Sequence, residues 1–269
     1  MKLFEAIKAL SDAGIENAAH DARALFERIG GVSKGELVFR DTESNHPALS
    51  EAIRRRAAHE PLQYVIGEVD FYNESYKVTP ACLIPRADTE VLVDYAVKNI
   101  PSGKRFLDLC TGSGCVAVST LKNTDKTTAV AVDKSLDALL IAKENAERNG
   151  VCDRIDLFEK DILKEKVSGA FFALLSNPPY VTEDAYRELS PEIFFEPSMA
   201  FLGGKSGLIF YERIISDYKD SLEEGGFMAL EIGYDQAESV KSIAEQNGFF
   251  AEVIKDFSGN DRVVVLKKA

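Results

Sequence analysis

Histidine is scarce in this chain and sits away from the part that looks catalytic. All three, His20, His46 and His59, fall before residue 60 of 269. Neither a histidine-based triad nor a histidine metal site is therefore expected further on, and no metal is expected at all. Cys82, Cys110, Cys115 and Cys152 are scattered without a C-x-x-C pair. That excludes a disulfide framework and a structural zinc site, and fits free thiols in a reducing compartment. Positive charge is short as well, with 32 Lys and Arg against 44 Asp and Glu for a net charge of −12. A protein that coats nucleic acid needs a basic face, so nucleic acid is not the expected partner, although a local basic patch is compatible with this balance. No apolar run approaches the ~18 residues of a membrane span, and M-K-L-F-E-A-I-K-A-L is too short and too charged for a signal peptide. These absences lead to the expectation of a cytoplasmic protein with no membrane partner; a monomer is expected, although nothing in the sequence reveals the oligomeric state.

What is present divides into two regions, and a 45% hydrophobic composition supports a real core. Up to about residue 75 the pattern is helical. Leu3, Ile7 and Leu10 share one helical face, and Ala22, Leu25, Phe26 and Ile29 share another. Ser33-Lys34-Gly35-Glu36 has the form of a capping box. A helix over Ala48–Ala58 carries Arg54-Arg55-Arg56, the one basic cluster, which reads as a solvated face rather than a docking surface. Tyrosines and β-branched residues then suggest a hairpin, Val69–Tyr72 and Tyr76–Thr79 around Asn73-Glu74-Ser75. Asp88–Ile100 reads as a helix.

From Arg105 onward strands and helices alternate. Strands are expected at Arg105–Cys110, Thr128–Asp133, Ile155–Asp161, Phe171–Ser176, Phe227–Ile232, Ala251–Phe257 and Arg262–Lys267. The clearest helix, Leu136–Asn149, has Ser135 as N-cap and Gly150 as stop. Such alternation means a parallel sheet covered on both faces. Only Ser258-Gly259-Asn260-Asp261 separates the last two strands, too little for a crossover, so they should form an antiparallel hairpin.

Asp108-Leu109-Cys110-Thr111-Gly112-Ser113-Gly114 falls where the first of these strands turns into a helix. Glycines there let a backbone approach a ligand at the positive end of a helix dipole. Gly112-x-Gly114-x-x-Ala117 also fits a permissive dinucleotide fingerprint, and Asp133, about twenty residues on, would hold ribose hydroxyls in either case. The loop by itself does not separate a dehydrogenase from a methyltransferase. Asp108 leans toward the second: an acid there would face a pyrophosphate unfavourably but suits the ammonium of S-adenosyl-L-methionine. Asp161, with Ile162 as apolar cover, is placed to reach the adenine amino group.

Asn177-Pro178-Pro179-Tyr180 follows the fourth strand and should face the same crevice. Two prolines make a rigid turn. It offers the Asn177 side-chain oxygen and the Pro178 carbonyl as two fixed acceptors, which suit an NH₂ group with two hydrogens to give. A planar NH₂ is a poor nucleophile because its lone pair is delocalised. Two acceptors favour a pyramidal nitrogen and aim that lone pair, so the chemistry is positioning and electrostatics. Tyr180 would supply a face for the substrate's planar group. The segment Val181–Glu196, following this turn, is expected to be a mobile lid.

Asn177–Tyr180, the Asp108–Gly114 loop and Asp133 together resemble class I methyltransferases that act on a planar NH₂. More closely, the chain is similar to the HemK/PrmC family of release factor glutamine N5-methyltransferases. The resemblance covers nearly the whole chain, including P-L-Q-Y-V-I-G at 61–67, I-P-R-A-D-T-E at 84–90, F-E-P at 195–197 and G-N-D-R-V at 259–263. It departs at Cys110, where the usual pattern has glycine. The fold it implies is α/β: a Rossmann-like class I methyltransferase sheet, mostly parallel with a C-terminal antiparallel hairpin, plus a small helical N-terminal domain. The domains would be a helical substrate-docking domain over 1–75, part of a β-hairpin linker over 76–87, and a methyltransferase domain over 88–269.

The implied activity is methylation of the glutamine side-chain amide in the Gly-Gly-Gln motif of bacterial class 1 release factors. Catalysis would rest on Asn177 and Pro178 and substrate binding on Asn177 to Tyr180. The cofactor would meet Asp108, Cys110, Thr111, Gly112, Ser113, Gly114, Asp133, Asp161, Ile162 and Asn177. Glutamine methylation of a ribosomal protein and N6-adenine methylation of nucleic acid use the same four residues and remain alternatives. A binding protein without turnover has no use for Asn177, and an NAD dehydrogenase leaves Asn177–Tyr180 unexplained.

Overall fold

The computed structural model describes residues 1–39 and 42–269 and falls into two compact units. One comprises Met1–Val69 with Ser190–Phe195, the other Asp70–Leu189 with Glu196–Ala269.

The first unit is helical, with α1 (Leu3–Asp12), α2 (Ala18–Arg28), α3 (Leu49–Ala57) and the short α4 (Leu62–Ile66). Leu3, Ala6 and Leu10 of α1 meet Ala22, Leu25 and Phe26 of α2 and Leu49 and Ile53 of α3 in one apolar cluster. This is the three-to-four-residue spacing of an amphipathic helix. Ser33 does not cap an α-helix. Its backbone N–H and its hydroxyl both donate to Glu36 Oε2, at 3.1 and 2.5 Å, and close a single 3₁₀ turn at Glu36–Val38. Arg54 is solvated, but Arg56 is not. Its Nε donates to Asp21 Oδ2 at 2.7 Å and its Nη2 to Glu192 Oε1 at 2.6 Å, with the guanidinium buried. The expected solvated face thus holds a buried ion pair that joins α2, α3 and the Ser190–Phe195 segment.

A two-stranded hairpin, β1 (Glu68–Phe71) and β2 (Glu74–Lys77), turns at Tyr72-Asn73. Both turn residues have positive φ, 48° and 65°, the geometry of the hairpin turn that matches strand twist. The expected turn, at Asn73-Glu74-Ser75, lies one residue further along.

Seven strands form the main sheet: β3 (Arg105–Leu109), β4 (Thr128–Asp133), β5 (Ile155–Glu159), β6 (Phe171–Ser176), β7 (Leu222–Glu231), β8 (Phe249–Lys255) and β9 (Asp261–Lys268). Their order is β5-β4-β3-β6-β7-β9-β8. The first five are parallel, and β9 runs antiparallel to both β7 and β8. This bears out the sheet and hairpin expected from the sequence. Covering helices are α5 (Glu90–Asn99), α6 (Cys115–Lys122), α7 (Leu136–Arg148), α8 (Glu183–Tyr186), α9 (Ile209–Tyr218) and α10 (Ala237–Gln246).

Phe106, Leu107, Asp108 and Leu109 are all buried, as a central parallel strand requires. Against one face Tyr211, Ile214, Ile215 and Tyr218 of α9 pack with Leu107, Val130, Leu174 and Met228. β7 begins five residues before Phe227, through Gly225-Gly226, where the register on β6 jumps. A Cβ on Gly226 would lie 2.4 Å from the Phe172 carbonyl, so only glycine allows this bulge. Strand order reverses between β3 and β6, which places the ligand crevice of such a sheet beyond their carboxyl ends.

Candidate functional site

Beyond the carboxyl ends of β3, β4 and β6 lies a cavity of about 310 Å³, within the ordinary size of a small-molecule site. Of the residues expected there, Cys110, Gly112, Asp133, Asp161, Ile162, Asn177 and Pro179 form its wall. Asp108, Thr111, Ser113, Gly114, Pro178 and Tyr180 stand behind that wall.

The turn after β3 is built from left-handed residues, with φ of +60° at Cys110, +54° at Gly112 and +81° at Gly114. Gly114 is also a packing position, since a Cβ there would meet the Ala142 Cβ at 3.0 Å. α7 can therefore lie directly on the loop, and its Asn145 side chain donates to the Ser113 carbonyl. Cys110 takes its left-handed conformation without glycine's freedom, at a cost of about 1–2 kcal/mol. Burial pushes its thiol well above the ordinary range, with Asp133 and Asp108 adding to the effect.

Asp133 ends β4 and is held by the backbone: Gly112 N–H donates to its Oδ2 and Ser135 N–H to its Oδ1, both at 2.9 Å. Burial raises its pKa and these N–H groups pull it back. Each oxygen keeps a lone pair for an incoming hydroxyl. β5 stops at Glu159, so Asp161 does not close the strand as expected but sits in the turn after it. There Oδ1 accepts from Leu163 N–H, while Oδ2 is paired with Lys134 at 3.1 Å and Lys164 at 3.3 Å. Its pKa is lowered: burial raises it, and these donors outweigh burial.

Asp108 is 1% exposed. Burial pushes its pKa up to about 7, against hydrogen bonds from the Thr111 hydroxyl (2.6 Å, to Oδ2) and Ala117 N–H. Its Oδ1 has no partner among the described residues. A buried carboxylate oxygen left open in this way is costly unless a donor arrives.

Asn177 leaves β6 at the cavity. Its Nδ2 donates to the Thr89 hydroxyl at 3.2 Å, and no described residue donates to its Oδ1 or to the Pro178 carbonyl. The turn is clamped from outside. Val181 N–H donates to Phe201 O at 2.8 Å, and Gly203 N–H donates to Val181 O at 2.9 Å. Gln236 Nε2 donates to Tyr180 O at 3.1 Å. A Cβ on Gly203 would come within 2.7 Å of the Pro179 carbonyl, so this close approach depends on glycine. Tyr180 packs against the sheet core, and burial raises its hydroxyl to about 12.

The segment expected to be a mobile lid, 181–196, carries local regular structure. It holds α8, capped by the Thr182 hydroxyl, which accepts from Ala185 N–H, and a 3₁₀ turn at Pro191–Phe195. Glu196 follows, buried, with Oε2 accepting from Ile84 N–H at 2.9 Å and Oε1 paired with Arg86. Two blocks far apart in sequence, 84–90 and 195–197, are thus bonded to each other beside the cavity, with Leu83 and Pro197 in its wall.

Sequence reasoning had assigned no role to Thr89, Glu196, Gly203 or the apolar wall residues Met199, Leu202, Ile209 and Phe210. Single residues in loops carry no periodic signal, and only the Pro197 and Arg86 blocks stood out.

The family model for "Methyltransferase small domain" matches residues 87–241, and that for "PrmC N-terminal domain" matches residues 3–67. The release factor glutamine methyltransferase of Thermodesulfovibrio yellowstonii is 41% identical over 238 residues, covering 85% of this chain and 84% of its own. That of Agrobacterium fabrum is 36% identical over 279 residues, covering 99% and 96%. Among solved structures, the hMettl16 catalytic domain in complex with MAT2A 3'UTR hairpin 6 matches with a TM-score of 0.59 at 16% identity. It covers 81% of this chain and 82% of that one. At this identity the likeness concerns the fold.

Proposed function

Since the chain belongs to the release factor glutamine methyltransferase family, we propose that it transfers a methyl group from S-adenosyl-L-methionine to a glutamine side-chain amide. The acceptor is the glutamine of the Gly-Gly-Gln motif in bacterial class 1 release factors. The observation that carries this reading is the state of the Asn177 carboxamide. Its NH₂ is committed to Thr89, so Oδ1 remains as an acceptor beside the Pro178 carbonyl. Two acceptors match the two hydrogens of a primary amide, as they could not match a hydroxyl or a thiol.

The residues present fit the cofactor. Asp133 offers lone pairs for ribose hydroxyls, Gly112 lets the backbone come close, and Ile162 gives apolar cover. Asp161, kept ionised by its lysines, accepts from the adenine amino group, and the open Oδ1 of buried Asp108 suits a cation. Cys110, Thr111, Ser113 and Gly114 shape the loop between them. Bound there, the cofactor supplies an electrophilic sulfonium methyl. Asn177 and Pro178 hold the amide nitrogen by its two N–H groups and turn its lone pair out of conjugation. Pro179 and Tyr180 keep that turn rigid. The proton lost from nitrogen needs no resident histidine, because the N–H becomes acidic as the new bond forms.

The helical unit is assigned the docking of the protein substrate, supported by its match to a domain found at the N-terminus of this family. None of the helices among the described residues is long and apolar enough to cross a membrane, and a protein acting on release factors works in the cytoplasm. The test is transfer of radiolabelled methyl to purified release factor, beside a release factor whose Gly-Gly-Gln glutamine is replaced. Label on the unaltered factor alone is expected. Label on neither, with the cofactor bound, would refute the substrate and point to ribosomal proteins.

A further inference from the structure

Thr89 and Glu231 lie behind Asn177, each 2% exposed, and the reaction as described gives neither a task. Glu231 is the last residue of β7. β6 and β7 are in register at Ser176 and Leu230, so Asn177, the residue after β6, and Glu231, the last of β7, stand at the same level. Thr89 comes from the 84–90 block and sits between them. Its Oγ1 accepts from Asn177 Nδ2 at 3.2 Å, and the Glu231 carboxylate lies within reach of its hydroxyl hydrogen, which lowers the carboxyl's pKa. Glu231 Oε2 has no partner among the described residues.

A threonine hydroxyl has one hydrogen to give. Once the carboxylate takes it, the oxygen can only accept, and only the NH₂ end of the Asn177 carboxamide can satisfy it. We propose that Thr89 and Glu231 are positioning residues that fix which end of the Asn177 carboxamide faces the cavity, holding Oδ1 toward the substrate amide. The proposal rests on the amide-methylation reading above. An amide acceptor is useful only while Oδ1 faces it. Turned the other way, Asn177 would present NH₂ to NH₂, and the transfer geometry would be lost.

The polarity of this chain depends on the charge of Glu231. A protonated Glu231 can donate to Thr89, freeing the threonine hydrogen for Asn177 Oδ1 and reversing the carboxamide. Burial pushes Glu231 up to about 7, against the Thr89 hydrogen bond and the charge of Arg262. The other groups facing it are Asp88 and Arg86 before α5, Tyr180 after β6, Tyr211 on α9 and Cys115 on α6. The correct polarity is therefore present above the Glu231 pKa and lost as pH falls through it.

The experiment is the pH dependence of kcat for methyl transfer to release factor by the wild type, T89S, T89V and E231Q, with the cofactor Kd measured for each. Loss of the orienting acceptor in T89V should lower kcat roughly 10- to 100-fold, the scale of a misaligned reacting group, with KM and cofactor Kd little moved. T89S keeps the hydroxyl and should recover kcat to within about threefold. The wild type should lose kcat on the acid side near neutrality, and E231Q should lack that limb. A residue serving only the fold would instead show T89S and T89V alike, with lowered melting temperature and an unchanged pH profile. T89V with wild-type kcat, or E231Q with the wild-type acid limb, would overturn the proposal while leaving the amide reading intact. Failure of the wild type itself to label the factor would overturn the reading and the proposal with it.

Discussion

Glu196 offers the sharpest test of how the cavity wall is held. Its carboxylate is buried, with a side chain 1% exposed, and links the 84–90 block to the segment after the Asn177–Tyr180 turn. Glu196→Ala would leave the buried Ile84 N–H without an acceptor, which costs about 1–3 kcal/mol. The Arg86 partner is 38% exposed, so the ion pair adds under about 1 kcal/mol after screening. The sum is a loss of about 1–4 kcal/mol. Glu196→Gln keeps an acceptor for Ile84 and gives up only the charge, so it should lose about 1 kcal/mol or less. Urea unfolding of both variants, with equal m-values, measures the difference. Because Leu83 and Pro197 flank the cavity, the alanine variant should also bind S-adenosyl-L-methionine several-fold more weakly. If glutamine proved as damaging as alanine, the charge rather than the Ile84 hydrogen bond would carry the link, and the reasoning would fail.

Asn177→Ala removes one of two acceptors and should cut kcat by about 10²–10³, the scale of losing one preorganised hydrogen-bonding group; a rate within tenfold of wild type in single-turnover labelling would exclude the role. Asp133→Ala should raise the cofactor Kd more than it lowers saturated turnover, and an unchanged Kd in calorimetry would mean that the ribose is held elsewhere. Arg56→Ala leaves buried Asp21 without its guanidinium and should destabilise the helical unit by about 3–5 kcal/mol, read as a fall in its unfolding midpoint. Asp108 has a folded-state pKa of about 7, raised by burial above its unfolded value. The wild type therefore loses stability as pH rises from about 4 to 7. Asp108→Asn should be more stable than wild type at pH 8 and lose that advantage by pH 4, whereas a pH-independent difference in urea unfolding would contradict the burial argument.

The sheet was legible in the sequence because a strand buried on both faces must be written as a continuous apolar run. Ala129 to Val132 and Phe171 to Leu175 are such runs, and Phe106 to Leu109 is broken only by Asp108. Glycines and prolines at strand ends marked Gly112, Gly114 and Asn177 for equally plain reasons. Other features left no trace, because they are settled by partners distant in the chain. Ser33 and Glu36 have the capping spacing but no apolar helix follows to be capped. Arg56 sits in a row of arginines indistinguishable from a solvated face until Asp21 and Glu192 close on it. Asp161 looked like a strand end because acids also stand near the end of β3 (Asp108) and at the end of β4 (Asp133), yet β5 ends at Glu159 and Lys160 N–H makes a further bond to β4, at Asp133 O. Thr89 and Glu231 are single polar residues whose significance lies only in their joint contact with Asn177. A one-residue signal has no period to be read.

Cys110 places a thiol in the wall of the cavity proposed to hold the sulfonium methyl. Sulfur is a far better nucleophile than an amide nitrogen, and this thiol stands in the cavity wall. Only the thiolate is reactive, and burial beside the Asp133 and Asp108 carboxylates keeps this one protonated. The same carboxylates that favour a positively charged ligand therefore silence the competing sulfur. With the thiolate disfavoured, self-alkylation by the proposed cofactor would be suppressed, so a thiol is compatible with this position.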